Sequence, residues 1–443
     1  MPNRLNIDAA ARWLVLVLVV VAVGWSTQLR GLVSSNDGSH VALARALARG
    51  EVQLGPDAAL TLWVDHARVD GVDYSDRPPG TALLAVPAVL LGRWLDARWL
   101  ADSLAALRSA PAGTPVHEVL VVRPATDRYI GTYGVRRSRT PGQHTDLLAL
   151  QGTAAAVGAH AIALGSLGLI AAWFVMARAG LGLGARVFAS AALAGGSLWG
   201  PYATTLFAHV TAGAAVALAA WAWIHAGALE DPRRQRIAVV AGGFAAGWAC
   251  ITDYTLVVVV VPMAALHVRR GAWPWVLVGL APPLLVAALY HQAAFGAWWS
   301  IGYDHQTRFA FARERASTFS GDPLQGAWIL WGLGRDAGVL AQAPIVLVGT
   351  IALLASPLRR WAWPWLPWFV LLAFHRTPWG GAGEDHRYLV PFLPFAAVGV
   401  GWLWDFFGRE RGIRGRIVGI LLLGLLVVSC VLTWQHFWSW RGE

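Results

Sequence analysis

Residues 13–25 read Trp13-Leu14-Val15-Leu16-Val17-Leu18-Val19-Val20-Val21-Ala22-Val23-Gly24-Trp25, and apolar character continues to Val33. Arg4 and Arg12 precede the run, and Ser34-Ser35-Asn36-Asp37 follows it. A bilayer core about 30 Å thick needs roughly 20 apolar helical residues to cross, so this stretch reads as a membrane span. It is too long for the h-region of a secretory leader, and no small-residue cleavage site follows. The rest of the chain agrees. Of 443 residues 56% are hydrophobic and 14% charged, with mean hydropathy +0.51, where a soluble domain carries about 25% charged residues.

Ten further apolar runs follow: Leu147–Met176, Val187–Phe207, Val210–Leu229, Ile237–Ile251, Thr255–Leu266, Trp273–Ala294, Val339–Ala355, Trp361–Phe374, Tyr388–Phe407 and Ile417–Phe437. The gaps decide their orientation. Arg178 and Arg186, then Arg233, Arg234 and Arg236, then Arg269 and Arg270, then Arg359 and Arg360, then Arg409 to Arg416 occupy every second gap. Short basic loops stay in the cytoplasm. Eleven crossings with the N-terminus inside satisfy all of these gaps, and place the protein in a cytoplasmic membrane. The net charge of +10 is thereby spent on loop arginines, which excludes nucleic acid as a partner. The chain has no lysine, which excludes a Walker A phosphate loop. Cys250 and Cys430 read as lone buried thiols.

Two places strain the count. Thr81–Leu95 is apolar but short, and reads as a re-entrant or interfacial helix on the outer side. Ile237–Leu266 must turn at Thr252-Asp253-Tyr254 to cross twice, and irregular backbone at depth needs protein or a wet cavity around it. The expected architecture is one all-α transmembrane unit over residues 1–443. A long first outer loop spans 34–146 and another outer loop spans 294–338. The first holds 12 of the 25 acidic residues. It opens with Asp37 or Ser39 as a helix cap before an amphipathic helix over Val41–Arg49, stopped by Gly50. Farther on comes Asp73-Tyr74-Ser75-Asp76-Arg77-Pro78-Pro79-Gly80. Residues 101–146 read as a small polar elaboration, with a strand near Val119–Val122 and a turn at Arg136–Arg139.

These motifs carry a resemblance. An acidic residue just outside the first span, a surface helix, then an (Asp/Glu)-Arg-Pro-Pro segment resembles the GT-C glycosyltransferases. The branch is that of the protein O-mannosyltransferases and the lipid A aminoarabinose transferase. Pro201–His209 in the second outer loop, Gly302-Tyr303 after the seventh span, and Trp379-Gly380-Gly381 with Arg387-Tyr388-Leu389 are similar to that branch in order and sidedness. The resemblance implies an inverting enzyme that uses a sugar on a polyprenyl phosphate. It implies Asp37 as the base, and Arg77 and Arg387 as ligands of the donor phosphate. Contacts to substrate are expected from His40, Asp76, His209, Asp253, Tyr254, Asp304, Glu384, Asp385 and His386. Where relatives have a second acidic residue in the second outer loop, this chain has His209. Glu384-Asp385-His386 departs from the family's small residues and offers groups to sugar hydroxyls or to a divalent cation. No metal site is assigned, since three consecutive residues suit one ion poorly. The acceptor is open among protein, lipid and glycan.

Two other readings compete. A transporter or lipid flippase calls for inverted repeats and midplane charges; the sequence has no repeat, and its ionisable residues gather at outer ends. A scaffold subunit would make Asp37 and Arg77 replaceable. A nucleotide-sugar enzyme is disfavoured by the lack of an Asp-x-Asp motif.

Overall fold

The computed structural model describes residues 4–29, 32, 34–98, 121–122, 129–130, 150–410 and 412–440. Apart from a two-residue pairing of Val121–Val122 with Tyr129–Ile130, the elaboration expected at 101–146, with its turn at Arg136–Arg139, lies outside the described residues. The described residues are mostly helical, with one further β-hairpin among them. In order come α1 (Arg4–Ser26), α2 (Ser35–Leu47), β1 (His66–Val69), β2 (Val72–Ser75), α3 (Pro79–Arg98), α4 (Gln151–Arg178), α5 (Leu183–Ala194) and α6 (Ala208–Ala226). Then follow α7 (Pro232–Thr252), α8 (Val257–His267), α9 (Trp273–Phe295), α10 (Pro323–Trp331), α11 (Pro344–Ala355), α12 (Leu366–Ala373), α13 (Leu393–Gly408) and α14 (Ile413–Trp440).

Among the described residues seven helices are long and apolar enough to cross a membrane, or eight if the bent pair Pro344–Ala355 and Arg359–Ala373 counts as one span. The expected eleven is not reached by this measure. One reason is that Val187–Phe207 is not a single helix. α5 stops at Gly195, and the chain folds back so tightly that a Cβ on Gly200 would lie 2.1 Å from the Ala194 carbonyl. Another is that Tyr254–His267 is a shorter apolar helix. It is set off from α7 by the break at Asp253, as the sequence leads one to expect.

Helix packing fixes which ends lie together. Gly158 packs on Leu29 and Gly165 on Trp25, so α4 runs antiparallel to α1. Arg178 at the end of α4 bonds His225 at the end of α6, so these two run parallel. The end of α7 at Thr252 therefore lies at the same end of the bundle as Gln151 and Asp37. α3 touches both. A Cβ on Gly80 would lie 2.4 Å from Thr252 Oγ1, and Asp96 accepts hydrogen bonds from Gly152 N (2.6 Å) and Thr153 Oγ1 (2.7 Å). Both ends of α3 thus dock on the Asp37 side, although its 20 residues would suffice to cross.

α2 differs from its expected form. Ser34, not Asp37 or Ser39, is the N-cap, and Asp37 closes a capping box with it. Nor does the helix lie with one face in lipid. Val41, Ala42, Leu43, Ala44 and Ala46 are all buried, as are its polar residues Ser39 and His40, because α3 covers one side and the 3-10 turn Gly55–Thr61, together with β2, covers the other. Asp70-Gly71, both with positive φ, make the two-residue turn of that hairpin, a geometry that suits the twist of paired strands.

Candidate active site

The hairpin delivers the first half of the site. Its last residue, Ser75, is 2.8 Å from Ser39 of α2 and accepts the Arg77 backbone N–H (3.1 Å). Pro79 then starts α3, where a missing N–H costs nothing. The Arg77 guanidinium is held on three sides. It pairs with Asp65 through Nη2, lies 3.4 Å from Asp76 Oδ1 through Nε, and donates to the Tyr303 hydroxyl (3.3 Å) through Nη1. Asp65 also accepts from Ser35 Oγ (2.6 Å). Burial disfavours the Arg77 charge, but Asp65 and Asp76 outweigh it and hold the group well above its ordinary range. Burial pushes the Asp76 carboxyl up to about 7, with Arg77 opposing and Asp65 adding to the shift.

The loop after α9 closes over this half. Gly302 sits where a Cβ would lie 2.7 Å from the Asp76 backbone. Gln306 Nε2 donates to Val64 O (2.6 Å), and Thr307 N donates to His66 O (3.0 Å).

The second half is built around Arg387. Gly380 has φ +71, and a Cβ there would lie 2.4 Å from Arg387 Nε. Glycine is thus required twice over, by backbone and by contact. Asp385 accepts the Arg387 backbone N–H (3.1 Å), lies 3.6 Å from Arg387 Nε, and accepts from the Tyr202 hydroxyl. Arg387 Nη1 donates to that same hydroxyl (3.4 Å). His209 links the halves. Its ring lies 6.2 Å from Tyr202 and 5.7 Å from Tyr388, within electrostatic reach of Arg387, Arg77 and His40.

Asp37 is fully buried. Its Oδ1 accepts from Ser34 N (2.7 Å), Ser34 Oγ (3.0 Å) and Gly38 N (3.0 Å). One turn later, His40 is fully buried with neither ring nitrogen hydrogen-bonded inside the protein. Burial first, and Arg77 second, hold it down at about 3, so the ring is neutral. The same condition recurs around it. Thr81 Oγ1, His209 Nδ1, Thr252 Oγ1 and Tyr290 OH are buried without a hydrogen-bond partner in the protein. Buried polar atoms are nearly always bonded, so such a concentration marks a place built for polar groups from outside the chain.

Other expected residues serve the backbone. Asp253 accepts from Thr255 N (3.0 Å) and Oγ1 (2.7 Å), holding the break between α7 and α8. Tyr254 OH lies 2.8 Å from His291 Nε2. Asp304 accepts from Ile301 N (3.0 Å). Glu384, Asp385 and His386 diverge: Glu384 pairs with Arg335, Asp385 turns to Tyr202 and Arg387, and His386 donates to Ala337 O (3.2 Å). Among the described residues no group of three His, Cys, Asp or Glu side chains converges as metal ligands would. Asp65, Tyr202 and Tyr303 were missed from sequence. Tyr202 and Tyr303 lie inside motifs already noted, whereas nothing local distinguishes Asp65.

No protein-family model matches the sequence, nor does any curated protein. Two solved structures do match by shape, both of ArnT from Cupriavidus metallidurans. The one described as bound to undecaprenyl phosphate gives a TM-score of 0.54 at 14% identity over 97% of this chain and 76% of that one. The apo structure gives 0.53 at 16% identity over 98% and 76%. The chain has the fold of these ArnT structures. It is a multi-pass membrane protein with an ArnT-like helix arrangement. Within that arrangement Asp76 and Arg77 come together, Asp385 and Arg387 come together, and His209 lies within electrostatic reach of both arginines and of His40, while Asp253, Tyr254 and Asp304 cap or brace the elements around them.

Proposed function

We propose that this protein is an inverting glycosyltransferase that moves a sugar from a polyprenyl phosphate to an acceptor hydroxyl. The observation that carries the reading is the pair Arg77 and Arg387. Each guanidinium is fixed by a carboxylate and a tyrosine, Arg77 by Asp65 and Tyr303 and Arg387 by Asp385 and Tyr202, beside buried polar atoms without a partner in the protein. Guanidinium groups bind phosphate oxygens through two parallel hydrogen bonds. The ArnT structure bound to undecaprenyl phosphate supports a lipid phosphate as the anion.

In the proposed reaction the two arginines hold the donor phosphate and stabilise its charge as the anomeric C–O bond breaks. The acceptor oxygen attacks the opposite face of the anomeric carbon, which inverts it, and the acceptor proton passes to the Asp37 carboxylate. Asp76, His209 and Asp385 tune and orient the arginines. The polyprenyl phosphate leaves with the electron pair. By the placement of loop arginines, the site faces the exterior of a cytoplasmic membrane. The acceptor class is protein, lipid or glycan. The test is transfer from radiolabelled polyprenyl-phosphate sugars to cell-envelope acceptors by purified protein. Abolished transfer in a folded, donor-binding Asp37→Asn variant is expected. No transfer by wild type from any donor would sink the proposal in favour of transport.

A further inference from the structure

An open groove of about 380 Å³, lined by Trp63, His66, Arg68 and Thr307, lies beside the hairpin. Strand geometry explains its position. Side chains alternate across a strand, so β1 and its entry send Asp65 toward Arg77 and His66 and Arg68 to the other face. Trp63 is half exposed at 47%, and its indole stands edge-on to His66, with ring centroids 5.1 Å apart at 74°. Its backbone is unusual. Leu62 and Trp63 follow one another at φ +52 and +58, a left-handed region that bulky residues seldom adopt. Thr61 Oγ1 holds the bend by accepting the Trp63 N–H (3.2 Å). The strain serves to aim an indole over polar groups.

Those groups are balanced in charge. Asp73 accepts from Arg68 Nε (2.7 Å) and lies 2.9 Å from His66 Nε2, while His66 Nδ1 is 3.1 Å from Thr307 Oγ1. A flat aromatic face next to a neutral set of donors and acceptors suits a ring with apolar C–H groups on one face and hydroxyls at its edge. An indole anchored in lipid would instead be flanked by apolar neighbours.

We propose that this groove binds an uncharged pyranose of the acceptor, stacked on Trp63 and hydrogen-bonded at its edge by Arg68, Asp73 and Thr307. The proposal rests on the glycosyltransferase reading and gives the acceptor a class, a glycan-bearing molecule. The test uses the full chain in nanodiscs and saturation-transfer NMR with methyl gluco-, galacto- and mannopyranosides. Wild type is expected to give ring-proton saturation with at least one of them. Trp63→Ala and Trp63→Leu are expected to weaken binding about tenfold, equivalent to ~1.4 kcal/mol, with undecaprenyl phosphate binding unchanged. Leucine keeps a membrane anchor but removes the flat face. Equal binding by Trp63→Leu and wild type, or no saturation of any glycoside, overturns the proposal. Loss of undecaprenyl phosphate binding by wild type, with sugar binding intact, would overturn the donor reading alone.

Discussion

Replacing Asp37 by asparagine separates the capping role that the structure shows from the catalytic role proposed for the same carboxylate. The first is structural. Oδ1 takes three hydrogen bonds at the start of α2, and an asparagine carbonyl can still accept all three. What is lost is the negative charge at a helix N-terminus, about 0.3–1 kcal/mol, and some charge assistance to the bonds. A total near 1–1.5 kcal/mol is small against a typical stability of about 5–15 kcal/mol. The second role is chemical. An amide cannot take the acceptor proton, and loss of a general base reduces rate by about 10²–10⁴. At ~1.4 kcal/mol per decade, that is about 3–5.5 kcal/mol in the barrier. Asp37→Asn should therefore remain folded in detergent by size exclusion and thermal unfolding, bind undecaprenyl phosphate like wild type, and transfer sugar at least a hundredfold more slowly. A variant that transfers at more than a tenth of the wild-type rate per folded molecule refutes the assignment, and His40, one turn along the same helix, becomes the group to test.

Arg77→Lys keeps the charge but loses the fork to Asp65 and Tyr303; it should fold, and its donor KM should rise at least tenfold. Arg77→Gln strands two buried carboxylates at about 3–5 kcal/mol, so its thermal midpoint should fall sharply by comparison. Gly380→Ala forces a positive φ and a 2.4 Å contact on Arg387; destabilisation of about 1–3 kcal/mol and weaker undecaprenyl phosphate binding are expected by thermal shift and titration. Asp76 supplies a pH dependence. Its folded value of about 7 lies above the ordinary carboxyl range, so the folded chain holds a proton that the unfolded chain has already released. Its contribution to stability is present in full below about pH 4 and is lost as pH rises to about 7. The protonated carboxyl also leaves Arg77 less neutralised, so anion binding should weaken as pH rises through 7. Asp76→Asn should flatten both trends relative to wild type, which melting curves and undecaprenyl phosphate titrations from pH 5 to 8 will read.

The spans were legible because lipid imposes composition directly: α1, α4, α6, α9 and α14 are runs that water would not tolerate. The break inside Val187–Phe207 was not, because Gly195 and Gly196 are apolar enough for a helix and the fold-back at Gly200 depends on a contact with Ala194. Similarly, the length of α3 says nothing of its path; only its docking on Thr252 and Thr153 does. In the site, Asp37, Arg77 and Arg387 stood out through short motifs at helix starts and turns. The Ser34-x-x-Asp37 spacing of a capping box was present, but the reading that placed the cap at Asp37 or Ser39 passed over it. Asp65 could not be read, because its partners Ser35 and Arg77 lie 30 and 12 residues away and no local pattern joins them. The divergence of Glu384, Asp385 and His386 was hidden for the same reason, since the positive φ at Glu384 turns consecutive side chains apart.

The stitching of Gln306 to Val64, across 242 residues, sets the order in which the protein can be completed. The ribosome delivers the hairpin and Asp65 early, while the loop that pins them emerges only after α9, and Arg387 later still. Through most of synthesis the early helices are inserted but the carboxylates and Arg77 have no lid. Loop closure over such a distance comes late, and its entropy must be met before its contacts reward it. The candidate site is therefore assembled late in synthesis, and a nascent chain ending before Gly302 would hold Asp65 and Arg77 without the loop that pins them.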